Sequence, residues 1–127
     1  MWINYNPNPN ESKTIDCTVR ALSLALGTDW DTAALMLDAV AFAQKTMPSA
    51  NKAWGELLRR NGYTKYELDN ECPGCYTAED FCMEHPFGVY VLGFDTHVAI
   101  AIDGMLYDAW DSMAEIPKFI WTKERTL

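Results

Sequence analysis

The dipeptide Asp103-Gly104 lies between two strand-like runs, residues 96–102 and 105–110, and dictates how they meet. Both positions tolerate positive φ, the requirement of a two-residue hairpin turn. With that turn Ile102 faces Met105 and, counting outward, Ala99 faces Asp108 and His97 faces Trp110. Side chains alternate between the faces of a strand, so His97, Ala99, Ala101, Leu106, Asp108 and Trp110 share one face. Asp108 becomes the diagonal neighbour of His97, within the reach of such side chains. Asp111 is expected to point away, and Asp103 sits at the distant turn tip. The two alanines are expected to leave room for another element close to His97. Val98, Ile100, Ile102, Met105 and Tyr107 make the other face apolar enough to be buried in its own right.

The rest of the chain supplies helices first and strands after. Residues 1–13 are rich in Asn and Pro and read as an extended or looped lead-in. A helix is predicted from Asp16 or Cys17 through Leu26, stopped by Gly27. Thr28, with Asp31 three residues on, predicts the cap of a second helix through Trp30, Leu35, Leu37 and Val40. A third carries Trp54, Leu57 and Leu58 and ends at Asn61-Gly62. Residues 63–68 suggest a short strand. Thr77-Ala78-Glu79-Asp80 predicts a capped short helix reaching His85, closed by Pro86. Strands are expected over 88–92, 96–102, 105–110 and 118–122. This order predicts an α+β fold, with N-terminal helices packed on a C-terminal antiparallel sheet, in a single domain spanning 1–127.

Composition bounds the function. A chain of 127 residues that is 49% hydrophobic and 22% charged, with five Trp, six Tyr and five Phe, has the material for one packed core. A formal net charge of −8 and the lack of any Lys/Arg cluster argue against a nucleic-acid partner. No apolar run is long enough for a signal peptide or a membrane span, so a cytoplasmic protein without membrane attachment is expected. The four cysteines are then expected to be thiols, ligands or a nucleophile rather than a disulfide frame.

Among them Cys17 has a distinctive setting. It opens the first helix directly after Asp16, a candidate N-cap, and Arg20 can pair with Asp16 across one turn. A thiol at a helix start beside an imidazole is favoured as the thiolate, the form that attacks. Joined to His97 and Asp108, it gives a candidate catalytic constellation with Cys17 as nucleophile, His97 as base and Asp108 as orienter. The Cys17 backbone N–H and a donor from the preceding loop would hold an oxyanion, with Asn10 the candidate and Asn8 behind it.

A rival site is Cys72-Pro73-Gly74-Cys75 followed by Cys82 and His85, four residue types that bind zinc. Cys82 and His85 fall within the predicted short helix, and the spacer before Cys82 is short for a zinc knob. No metal or other cofactor is therefore expected. A dithiol redox role lacks the strand-led setting of thioredoxin-type motifs.

In order and setting, the residues resemble the papain-like cysteine peptidase superfamily: Cys on an N-terminal helix, His on a strand, and a third polar residue after a hairpin. Asp108-Ala109-Trp110 stands where papain-type enzymes carry Asn-Ser-Trp, which implies that Trp110 shields the His97–Asp108 hydrogen bond. A closer similarity is to short single-domain papain-like proteins of bacteria and phages, carried by Asp16-Cys17-Thr18-Val19-Arg20-Ala21, His97-Val98-Ala99-Ile100 and residues 103–111. Glu11 departs from the pattern, standing six positions before Cys17 where papain-type enzymes place Gln. The resemblance implies hydrolysis of a peptide, isopeptide or other amide bond in a peptide or protein substrate, with acyl transfer as a variant. The alternative is a catalytically silent papain-like module that grips a protein or peptide.

Overall fold

The computed structural model describes residues 1–10, 16–68 and 76–123. Ten elements follow one another: β1 (Trp2–Asn4), α1 (Cys17–Ala25), α2 (Trp30–Gln44), α3 (Asn51–Arg60), β2 (Tyr63–Glu67), α4 (Ala78–Glu84), β3 (Val89–Gly93), β4 (Val98–Ile102), β5 (Met105–Asp108) and β6 (Phe119–Lys123). The six strands form one sheet in the order β1-β5-β4-β3-β6-β2. The fold is α+β.

The sheet is mixed rather than purely antiparallel. β1 pairs in parallel with β5, with Trp2 opposite Leu106 and Asn4 opposite Asp108, while every other pairing is antiparallel. The lead-in expectation missed β1 because three residues ahead of an Asn/Pro-rich stretch are too few to show alternation. Their pairing partner lies a whole domain away in sequence.

The hairpin forms in the predicted register. Asp103 has φ 49° and Gly104 φ 80°, and Ile102 faces Met105, Ala101 faces Leu106 and Ile100 faces Tyr107. Two positive φ values in succession match the right-handed twist of the strands the turn joins. Gly88 N–H donates to Asp103 Oδ1 at 2.9 Å, which ties the start of β3 to this tip.

Alternation sorts the core into two layers. On one face Val91, Val98, Ile100 and Phe119 pack with Leu22, Leu37, Trp54 and Leu58 from α1, α2 and α3. On the other, Leu92, Ala99, Ala101, Leu106 and Ile120 pack with Ala78, Phe81 and Cys82 of α4. Ala99 and Ala101 therefore make room for the α4 side, not for the helix that carries Cys17. α1 lies instead on the face that was expected to be buried in its own right.

One helix start differs from the expected position. Thr28 closes α1 rather than opening α2: Gly27 takes φ +65°, its N–H donates to Leu24 O, and Thr28 N–H donates to Ser23 O. That pair of bonds is a Schellman closure, which claims Thr28 as its last member. Asp29 caps α2 instead, its Oδ1 accepting from Thr32 N–H at 2.8 Å. At α4 the predicted capping box of Thr77 and Asp80 is present. Among the described residues, no helix is long and apolar enough to cross a membrane.

Candidate active site

His97 immediately precedes β4, and its position is set by the β3–β4 connection. The Phe94 N–H donates to the His97 carbonyl at 2.8 Å and closes the loop between the two strands. Asp108 ends β5 beside it. The strand stops there rather than continuing to Trp110 as expected, because Asp108 Oδ1 accepts the Ala109 N–H at 2.7 Å and turns the chain. At the strand ends the alternation that governs the middle of the sheet no longer confines these side chains. They project where the N-terminal turn of α1 meets the sheet.

His97 Nε2 lies 2.5 Å from Asp108 Oδ2, and both side chains are buried. Nδ1 is the ring nitrogen that Asp108 does not engage. Cys17 is half-buried in the first turn of α1 and interacts with the His97 ring by hydrogen bond and charge. Burial pushes the thiol pKa up, but the hydrogen bond to His97, its charge, the Val98 backbone and the Arg20 charge together bring it below the ordinary 9.0. Burial pushes the imidazole the other way, and the contacts with Asp108 and Cys17 overcome it, raising His97 from 6.5 to about 9. Both shifts favour a thiolate–imidazolium pair near neutral pH.

Asp108 is held on every side. Oδ2 accepts from His97 and from Ser112 Oγ at 2.6 Å, and Oδ1 accepts from Ala109 N–H and from an Arg20 nitrogen at 3.3 Å. Its backbone carbonyl accepts from Tyr5 N–H at 2.8 Å and from Trp2 Nε1 at 3.1 Å. Burial raises the carboxyl pKa, yet His97, Ser112 and the Ala109 amide outweigh it and keep the group below its usual 3.8. Asp111 is exposed and accepts the Met113 N–H, apart from this cluster.

Trp110 lies over the imidazole, ring centroids 4.3 Å apart and planes 28° from parallel, with the Arg20 guanidinium carbon 5.4 Å from a Trp110 ring centroid. It remains 48% exposed, so it covers His97 from the solvent side instead of sitting in the core. Phe94 flanks the imidazole more distantly, at 5.9 Å.

Asp16 occupies the N-cap position of α1 but makes no side-chain cap bond. Its carboxylate accepts from the Arg20 guanidinium and from Trp30 Nε1 at 2.9 Å. A charge-assisted bond to a buried guanidinium outcompetes a bond to a backbone amide. The amides of the first turn of α1 are thus left without this cap.

Asn10, the expected oxyanion donor, is exposed, and its contact among the described residues is a backbone N–H donated to Asn8 Oδ1 at 2.9 Å. Asn8 is the buried member of the pair. Glu11 lies outside the described residues.

Of the rival metal set, Cys72 and Cys75 lie outside the described residues. Cys82 is buried in the α4 core, where burial raises its thiol pKa. His85 stacks on Phe81 at 4.0 Å and its Nδ1 contacts the Phe81 carbonyl at 2.9 Å. Among the described residues no group of three or more potential ligands converges.

Sequence reasoning did not anticipate Ser112, Trp30, Trp2 or Tyr5 as partners of this cluster, and it connected Arg20 to Asp16 alone. A buried Arg three residues after the cysteine was a usable signal, since such a charge must find a partner. No family model, no curated protein and no solved structure matches this chain.

Proposed function

We propose that the chain is a small papain-like cysteine hydrolase that cleaves a peptide, isopeptide or related amide bond. The observation that carries this reading is the relay Cys17–His97–Asp108, with a lowered thiol at the first residue of a helix and a raised imidazole held by a buried carboxylate.

The chemistry follows from those positions. The Cys17 thiolate attacks the acyl carbon, and the carbonyl electrons move to oxygen. The Cys17 N–H, at the uncapped start of α1, supports that oxyanion. His97, protonated, gives its Nδ1 proton to the departing amine as the C–N bond breaks, leaving a thioester on Cys17. Water then attacks the thioester, losing a proton to His97, and the acid departs as the thiolate returns. Asp108 holds Nε2 throughout and so fixes which nitrogen exchanges the proton. A cleft of about 340 Å³ lies between residues 94–96 and the segment 114–118, and Phe94 of its wall has its ring centroid 5.9 Å from that of His97.

The test is an electrophilic thiol probe applied to the folded protein, with labelled peptides mapped by mass spectrometry. Labelling concentrated on Cys17 and lost in His97→Ala supports the hydrolase. Equal labelling of all four cysteines overturns it. The exposed position of Asn10 favours one alternative, a silent papain-like module that grips a peptide without turnover. Labelling at Cys17 with no release of acid from an activated ester would select that alternative.

A further inference from the structure

Arg20 is the one buried guanidinium among the described residues, and its surroundings are unusual for a structural ion pair. One terminal nitrogen binds Asp16 on its own helix, while the other reaches Asp108 Oδ1 on β5 at 3.3 Å. Nε has no partner. The same guanidinium lies over Trp110, the ring that covers His97. Its backbone carbonyl accepts from Ser23 Oγ, which in turn contacts the Tyr5 hydroxyl at 2.6 Å. Tyr5 N–H donates to the Asp108 carbonyl, so two separate routes join this turn of α1 to Asp108.

A buried guanidinium with an unsatisfied nitrogen is costly unless its geometry achieves something else. Here it bridges the helix that carries the cysteine and the strand that carries the histidine's partner. An arginine can do this and a lysine cannot do it equally well, because only the planar fork addresses two carboxylates at once. The charged groups that act on the Cys17 sulfur are His97 and Arg20, and the carboxylates of Asp16 and Asp108 are bound to that Arg20. A guanidinium, unlike an imidazole, is not deprotonated in proteins.

We propose that Arg20 is a positioning residue of the site: clamped between Asp16 and Asp108, it sets the first turn of α1 against the His97–Asp108 pair and supplies a permanent positive charge that keeps the Cys17 sulfur anionic. This role rests on the nucleophile reading of Cys17, but its test does not require turnover. Asp16, bound to the same guanidinium, is its anchor in place of a helix cap.

The experiment is the rate of Cys17 alkylation by iodoacetamide from pH 4 to 10, by peptide mass spectrometry, in the wild type, Arg20→Lys and Arg20→Met. Folding is checked by near-ultraviolet circular dichroism. The wild-type midpoint is expected below the ordinary thiol value. Arg20→Met is expected to move it up by about one pH unit, and Arg20→Lys by less, since the charge survives and the fork is lost. If Arg20→Met does not fold, Arg20→Lys decides: a midpoint identical to wild type overturns the role. A folded Arg20→Met with an unchanged midpoint overturns it too, leaving Arg20 a purely structural residue. A wild-type midpoint at the ordinary thiol value would instead sink the nucleophile reading itself, a separate result.

Discussion

The Arg20 guanidinium donates to Asp108 Oδ1 at 3.3 Å across 88 positions of sequence, while the other oxygen of the same carboxylate binds His97 at 2.5 Å. Asp108 thus serves two cations with opposite duties, one titratable and one permanent. Its charge, and not only its shape, is what both partners require.

Asp108→Asn should therefore fail in a specific way. An amide can accept with one side only, so it must turn its N–H₂ toward either His97 or Arg20, both of which donate. Acylation of Cys17 by p-nitrophenyl acetate is expected to fall by roughly 10²–10⁴-fold, the range typical of lost acid–base orientation. A variant within twofold of wild type would remove Asp108 from the relay.

The pH dependence has a definite sense. Turnover needs the thiolate and the imidazolium together, so the rate should rise through the lowered Cys17 pKa and fall as His97 deprotonates near pH 9. Linkage runs the same way for stability. His97 is raised on folding, so its contribution is complete below pH 6.5 and fades as pH climbs through about 9. Asp108 is lowered, so its contribution is present above 3.8 and is lost as pH falls through the depressed value. Urea unfolding at pH 7 and pH 10 checks the first: equal stability at both, after correction for surface groups, would contradict it.

Ser112→Ala removes a buried hydroxyl that donates to Asp108 Oδ2. The same oxygen keeps His97, and Oδ1 keeps Ala109 N–H and Arg20, so the loss should be partial: about 1–3 kcal/mol of stability and a lower His97–Asp108 rigidity. Thermal denaturation and the Cys17 acylation rate should both decline. A change in neither would mean that water replaces the hydroxyl without cost.

Gly93→Ala tests the scaffold behind the site. A Cβ there would lie 2.2 Å from the Phe119 ring, which is itself stacked on Trp54 at 5.7 Å. The ring is buried and would have to shift against Trp54, so a destabilisation of about 1–3 kcal/mol is expected from overpacking. Gly93 also pairs with Val98, the residue after His97, so the Cys17–His97 geometry should loosen with it. A melting temperature equal to wild type would show that the strand yields elsewhere.

Reading the sequence located the hairpin because its turn is local chemistry: two residues with positive φ set a register, and the register set the neighbours of His97. The helix start at Cys17 was legible for the same reason. The parallel strand β1 was not, because a three-residue edge strand carries no period of its own. The face on which α1 lies was left open because both faces of β4 are apolar, and small residues at 99 and 101 fit a phenylalanine from α4 as well as a backbone from another element. Ser112 and Trp30 were invisible for a different reason. Their roles depend on which loops converge, and no spacing rule states that in advance.

Trp2 donates its indole N–H to the Asp108 carbonyl across 106 positions, and β1 pairs along β5. Contacts of this separation demand that a long loop be closed before they return any stabilisation. During synthesis, Cys17 is made while His97, Asp108 and their supports do not yet exist. For that interval its sulfur lacks the imidazole that lowers it in the folded chain. The contacts that lower the thiol thus arrive only when β4 is in place beside α1.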